Sequence, residues 1–152
     1  MTAQQDLAAL PTSRKITLGA AVLLLVNSFL PWYHASFGGI SVSENGWNQL
    51  GTVAWLVLIV LLVWEALRLA GVVNVVGARA DLFSAIGALA VVVVGAIYVI
   101  QRISDGSLGI GFFFGIVLLV ALGATAWGSF QSSGGTDAVR AEVDARRTPP
   151  AA

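Results

Sequence analysis

The sequence contains no cysteine and a single histidine, and charged residues make up only 11% of its 152 residues. The absence of cysteine excludes disulfides, thiolate nucleophiles and cysteine-based metal sites. The formal net charge is zero, so there is no basic field that would attract nucleic acid, and we expect no such partner. His34 shares its loop with one acid, Glu44, which is too few ligands for a metal. We therefore predict no metal, no cofactor and no enzymatic activity.

The sequence is strongly apolar, because 57% of its residues are hydrophobic. Residues 82–100 include no charged residue, and a helix of that length is about 28 Å long, close to the ~30 Å hydrocarbon core of a bilayer. Three further apolar runs resemble it. We predict an all-α membrane protein, a four-transmembrane-helix up-down bundle with a short β-hairpin-like extracytoplasmic loop, whose spans are residues 16–31, 50–70, 82–101 and 108–128.

The two ends of the chain are polar. Residues 1–13 are predicted to be a flexible cytosolic N-terminus, and residues 129–152 a disordered cytosolic tail, because Ser, Gly, Pro and mixed charges bury too little apolar area to fold. A transient helix over residues 138–147 is the alternative. Of the eight Lys and Arg residues, all but Arg102 fall on the side of the termini. The positive-inside rule then places both termini in the cytoplasm of a multi-pass protein. The Ala, Val, Gly and Arg bias suggests a GC-rich bacterial genome, and we therefore predict that the membrane is a bacterial plasma membrane.

The first outer loop, residues 31–48, alternates between apolar and polar side chains. If Gly38-Gly39 forms a two-residue turn, Phe37 pairs with Ile40, Ala35 with Val42 and His34 with Ser43. One face of this hairpin is then apolar and the other polar. We expect the apolar face to lie on the outer ends of the helices.

Aromatic residues flank the hairpin and suggest either an interfacial belt or a docking surface. We predict that this loop binds a membrane-protein partner through Trp32, Tyr33, His34, Phe37, Glu44 and Trp47.

Small and polar residues within the spans predict where helices meet. The helix-packing candidates are Gly87, Gly95 and Gly123, together with the GxxxG motif formed by Gly111 and Gly115. They serve packing within one chain or, alternatively, a homo-oligomer. The polar candidates are Asn27 and Glu65. Asn27 is either a packing contact or part of a possible ion site. Glu65 either forms an ion pair with Arg68, three residues on, at the membrane edge, or belongs to that ion site, since intramembrane carboxylates are often functional.

Three short motifs of the first half, Leu30-Pro31-Trp32-Tyr33, Phe37-Gly38-Gly39 and Asn45-Gly46-Trp47, carry a resemblance. The chain resembles uncharacterised small actinobacterial four-helix integral membrane proteins. The similarity covers the first two spans and their loop. It implies a four-helix fold and an envelope location, and it implies no activity.

The function predicted from these patterns is a non-enzymatic accessory or scaffold subunit of a bacterial plasma-membrane or envelope complex. It would dock through the aromatic outer loop and the small-residue helix faces, in contact with the lipid bilayer. Two alternatives stay open at this point. One is a small oligomeric channel or transporter, and the other is a lipid-binding membrane organiser.

Overall fold

The computed structural model describes residues 10–72, 78–105 and 107–147. It is mostly helical with one small two-stranded antiparallel sheet. In chain order the elements are α1 (Thr12–Asn27), β1 (Pro31–Phe37), β2 (Ile40–Asn45), α2 (Leu50–Leu69), α3 (Ala78–Asp105), α4 (Ile110–Ser132) and α5 (Gly135–Arg147).

Three helices of the described residues are long and apolar enough to cross a membrane. These segments are Leu50–Leu69, Arg79–Ser104 and Ile110–Ser132, with mean hydropathies of 2.3, 2.5 and 2.2. Their outward side chains are apolar, as lipid contact requires: Val60, Val93 and Val117 are all more than half exposed. The chain is therefore consistent with a multi-pass membrane protein.

The prediction of four such helices is wrong at the first span. The helix α1 has 16 residues and ends at Asn27, whereas the prediction continued to Pro31. Ser28, Phe29 and Leu30 form a tight turn, and Pro31 begins β1. The residue before a proline avoids helical backbone angles, so the apolar run could not stay helical to its end.

The four long helices alternate in direction. Arg14, near the start of α1, contacts Glu65 near the end of α2, and Asn27 at the end of α1 contacts Gly111 at the start of α4. Helix α1 packs mainly against α4, and α3 packs against both α2 and α4. The core between them is apolar and includes Leu24, Leu58, Val91 and Leu122.

The hairpin forms with the predicted register. Phe37 pairs with Ile40, Ala35 with Val42 and His34 with Ser43. Gly38 and Gly39 both have positive φ, 56° and 84°, which the two-residue turn requires and which glycine adopts without a steric penalty.

The position of the apolar face differs from the prediction. Phe37, Ile40 and Val42 are 91%, 72% and 51% exposed. The hairpin therefore projects from the helix ends instead of lying on them. Its first strand is held on the other side, where Gly109 donates its N–H to the carbonyl of Trp32 at 3.0 Å.

The predicted disordered tail is helical over much of its length. Helix α4 continues to Ser132, and α5 follows after Gly134 and Gly135, both of which have positive φ. The predicted flexible N-terminus lies largely outside the described residues, since the description begins at Leu10.

Candidate functional site

Trp32 forms the centre of a buried aromatic cluster made of Trp32, Trp55, Tyr98 and Phe112. The Trp32 side chain is 0% exposed. Its ring centroid lies 5.3 Å from those of Trp55 and Tyr98 and 6.3 Å from that of Phe112. Such tilted and edge-on contacts suit the ring quadrupoles. Trp32 was predicted to contact a partner, and this prediction is corrected: Trp32 belongs to the core and offers no surface.

The GxxxG motif of α4 makes room for this tryptophan. A Cβ atom at Gly111 would lie 2.9 Å from Trp32 Cδ1, and one at Gly115 would overlap the far edge of the same ring. The small-residue face at this position is therefore filled by the chain's own side chain, and it leaves no space for a helix of a second copy.

Asn27 holds the end of α1 against the start of α4. Its Nδ2 donates to the carbonyl of Gly111 at 2.8 Å, and its own carbonyl accepts the Nε1–H of Trp32 at 3.0 Å. Its Oδ1 is buried and accepts no hydrogen bond within the described residues. One amide oxygen does not supply the several oxygen ligands that a cation needs, so these contacts favour the packing role of Asn27.

The segment after β2 closes over the aromatic cluster. Trp47 is half-buried and donates its Nε1–H to Ser28 Oγ at 2.9 Å. Trp55 donates its Nε1–H to the carbonyl of Gly46 at 2.6 Å, and Gly46 donates its N–H to the carbonyl of Ser28 at 2.8 Å. These bonds satisfy the polar ends of both tryptophans inside an apolar setting.

Arg102 links α3 to the hairpin, a role that the sequence analysis missed. It is 7% exposed, its Nε donates to the Tyr98 hydroxyl at 3.1 Å, and its Nη2 lies 3.4 Å from Glu44 Oε2. Its guanidinium also lies 5.9 Å from the centre of the Tyr33 ring, a cation–π contact. One signal was present in the sequence, since Arg102 is the one basic residue assigned to the outer side.

The predicted partner-binding residues thus separate into two groups. Tyr33, Glu44 and Trp47 are half-buried and engaged with the bundle, whereas His34 and Phe37 are exposed on the hairpin. Together with Ile40 and Val42, Phe37 makes the apolar face of the hairpin, which we call the hairpin face.

A charged cluster lies at the opposite end of the helices and is formed by Arg14, Glu65, Arg68, Asp81 and Ser84. Glu65 is 3% exposed. Arg14 reaches Glu65 Oε2 through Nη2 at 2.7 Å and Nε at 3.0 Å, and Ser84 donates its hydroxyl to Oε1. Arg68 bridges Glu65 at 3.7 Å and Asp81 at 2.7 Å. The cluster borders a pocket of about 220 Å³. It joins three helices, and every oxygen of the buried Glu65 carboxylate has a cationic or hydroxyl partner.

The remaining glycine candidates face neighbours within the chain. A Cβ at Gly87 would meet Leu61 at 3.1 Å, one at Gly95 would meet Leu119 at 2.8 Å, and one at Gly123 would meet Val92 at 3.4 Å. Gly87 and Gly123 also border two apolar grooves on the outside of the helices.

Comparisons with protein-family models, with curated proteins and with solved structures found no match for this chain. The resemblance to small actinobacterial membrane proteins accordingly stays a prediction, and function is inferred from the geometry of this chain alone.

Proposed function

We propose that this chain is a non-enzymatic accessory subunit of a bacterial plasma-membrane or envelope complex, and that it docks a membrane-protein partner through the hairpin face. The observation that carries this proposal is the exposure of Phe37, Ile40 and Val42 side by side on a hairpin that the rest of the fold holds firmly. Isolated exposed apolar residues are ordinary, but three on one face of a projecting element are typical of an interaction site.

The rigidity of the hairpin supports the same function. Its base is held by the burial of Trp32, by the Arg102–Glu44 ion pair and by the hydrogen bond from His34 N–H to the Ser107 carbonyl at 3.2 Å. A surface that is ordered before binding loses little conformational entropy when it binds. The residues that we predicted as contacts but that lie in the bundle therefore act by positioning Phe37 and its neighbours.

We further propose that α1, although it is shorter than the three candidate spans, also crosses the membrane beside them, so that the hairpin lies outside the cell. At 1.5 Å per residue α1 is about 24 Å long, and it lies antiparallel to α2 and α4 along their length. Arg14 and Lys15 at its start, like Arg68 and Arg79, are at the end that the positive-inside rule assigns to the cytoplasm.

Cysteine labelling tests this orientation, because the natural chain has no thiol. Ser36 on the hairpin and Ser132 at the end of α4 are both exposed. In intact cells a membrane-impermeant maleimide should label Ser36→Cys and spare Ser132→Cys, and permeabilisation should make both react. The reverse pattern would overturn the orientation, and labelling of both in intact cells would overturn the placement of three spans, α2 to α4, between the two positions.

The contacts of the polar residues give less support to the channel alternative. Glu65 is held by Arg14 and Ser84, and Asn27 is bonded to Gly111, so both polar side chains are engaged within the chain. The aromatic cluster also fills the interior at the hairpin end of the bundle.

Photo-cross-linking tests the docking function. A photoreactive amino acid placed at Phe37 should form one stoichiometric adduct with a membrane protein in native membranes, identified by mass spectrometry. The matched control is the same group at Ser36, its exposed neighbour on the opposite face of β1. Equal adducts from both positions, or adducts with lipid alone from Phe37, would contradict the proposal, and the second result would favour the lipid-organiser alternative.

A further inference from the structure

The second strand of the hairpin has an open edge. The sheet order is β1–β2, and β1 uses its other side to contact the segment before α4, where Tyr33 bridges to Leu108. Beyond β2 no further strand lies within the described residues. Natural proteins protect such edges with lysine, proline or a bulge. Residues 40–43 of β2 contain neither charge nor proline, and all four are exposed.

The main-chain groups on that edge can be assigned from the hydrogen bonds of β1. His34 donates its N–H to Ser107, so its main chain points away from β2. Opposed residues of an antiparallel pair alternate between hydrogen-bonded and non-hydrogen-bonded. His34–Ser43 is therefore a non-hydrogen-bonded pair, and Ser36–Ser41 is the next of that kind. Ser41 and Ser43 accordingly direct their N–H and C=O groups to the open edge.

We propose that β2 pairs antiparallel with β2 of a second copy of this chain, about a two-fold axis at Ser41. In that register Ser41 exchanges two main-chain hydrogen bonds with Ser41 of the second copy. The uncharged edge also brings no like charges into contact between the two copies.

Side-chain chemistry selects this register over its neighbour. About Ser41, Ile40 lies opposite Val42 of the second copy, and the hairpin register extends the row to Ala35 on one side and Phe37 on the other. On the face that carries Phe37, both rows that cross the four strands then consist of apolar side chains. An axis at Ser43 would instead place Val42 opposite the charged Glu44, which is unfavourable.

The proposed interface is short, so the dimer forms only where the concentration of chains is high. About the Ser41 axis, Ile40, Ser41 and Val42 of each β2 overlap, and an edge of three residues buries much less than the about 1,200 Å² of a stable soluble interface. We therefore expect dimers at the high local concentration of chains confined to a bilayer, and little association in dilute detergent.

Disulfide trapping tests the proposal on the full-length protein in native membranes and in liposomes. Opposed Cα atoms of a hydrogen-bonded pair are about 5.5 Å apart, within disulfide reach. Ser36 is the matched control, because it is exposed on the same polar face but two copies of it would lie three strand spacings apart, about 14 Å. Under mild oxidation Ser41→Cys should give at least ten times more covalent dimer than Ser36→Cys at equal expression. Equal yields would mean random collision and would overturn the proposal.

A second pair of variants tests the same dimer without forming a disulfide bond. Proline is tolerated at an edge position whose N–H faces outward, so Ser41→Pro should keep the hairpin but lose the pairing. Energy transfer between chains labelled at their C-termini in liposomes should fall to the level of random mixing in Ser41→Pro and persist in Ser41→Thr. Persistence in both variants would overturn the proposal.

This inference is separate from the proposed function: its hydrogen bonds are made by the main-chain edge of β2, and the side chains of the hairpin face contact one another only along their row and stay exposed on the paired sheet. A negative disulfide result leaves the photo-cross-linking at Phe37 unaffected, so the two failures are distinguishable. If Ser41→Cys cross-links in native membranes to a different protein and not to itself, the occupant of the edge is that protein's strand, and the self-pairing is wrong.

Discussion

The substitution Trp32→Ala separates a core role for this residue from a docking role. Trp32 is fully buried against Trp55, Tyr98 and Phe112, and its Nε1–H bonds the carbonyl of Asn27. Removing a buried Trp side chain costs about 3–5 kcal/mol of unfolding free energy, because a cavity replaces its contacts. For a chain of this size each kcal/mol corresponds to about 2–4 °C, so we expect the unfolding midpoint to fall by about 6–20 °C.

The assay is thermal unfolding of the purified protein in one mild detergent, followed by intrinsic fluorescence and by loss of monodispersity. Phe37→Ala is the matched control, because it removes an aromatic side chain from the same strand at a position that is 91% exposed. Its midpoint should change by no more than about 2 °C, as surface substitutions alter stability by about 0.5 kcal/mol or less. A stable Trp32→Ala protein, or equal losses in the two variants, would refute the assignment of Trp32 to the core.

Two further predictions concern the helices. Gly115→Ala should destabilise the fold by about 1–3 kcal/mol, as at other overpacked sites, because the added methyl group overlaps the Trp32 ring. In the control Gly128→Ala the methyl group meets no atom within 4 Å, so the melting temperature should stay equal or rise. A Gly115→Ala protein of unchanged stability would contradict the packing of Trp32 against α4. Arg14→Gln and Glu65→Gln should each destabilise the protein, by less than the about 3–5 kcal/mol of a fully buried pair, because Arg14 is partly exposed and Arg68 also lies 3.7 Å from Glu65. The double variant should recover part of that loss in the same assay, whereas strictly additive losses would show that the pair is not coupled.

Much of the local structure could be predicted from the sequence because it depends on near neighbours. The Gly38-Gly39 turn and the alternation around it determine which residues of the hairpin pair, and the structure has that register. The bounds of α2 follow from a continuous apolar run and agree to one residue at the end, Leu69 against 70.

The errors occur where a distant part of the chain decides the outcome. A tryptophan beside a membrane span is compatible with an interfacial belt, a docking surface or a core, and only the position of Gly111 and Gly115 across the bundle makes Trp32 a core residue. The GxxxG motif predicts that some group approaches α4 closely, but it does not identify that group as the Trp32 side chain. Similarly, alternation predicted an apolar hairpin face and could not tell whether the helix ends would cover it.

The error in α1 has a local cause. Hydropathy is nearly continuous up to Leu30, but Leu30 precedes Pro31 and therefore avoids helical angles, and the helix stops at Asn27. In the predicted tail, residues 135–147 form α5, which is close to the alternative of a helix over residues 138–147.

The hydrogen bond between Asn27 and Gly111 has a consequence for biosynthesis. The two residues are 84 positions apart in the chain. At the usual rate of about 5–20 residues per second, the ribosome needs about 4–17 s to make the second after the first. During that interval the amide of Asn27 lacks its partner, and the indole of Trp32 lacks the glycine face that receives it. The end of α1 therefore gains these contacts only after α4 has been synthesised, so the first helix of this fold is completed by its last long helix.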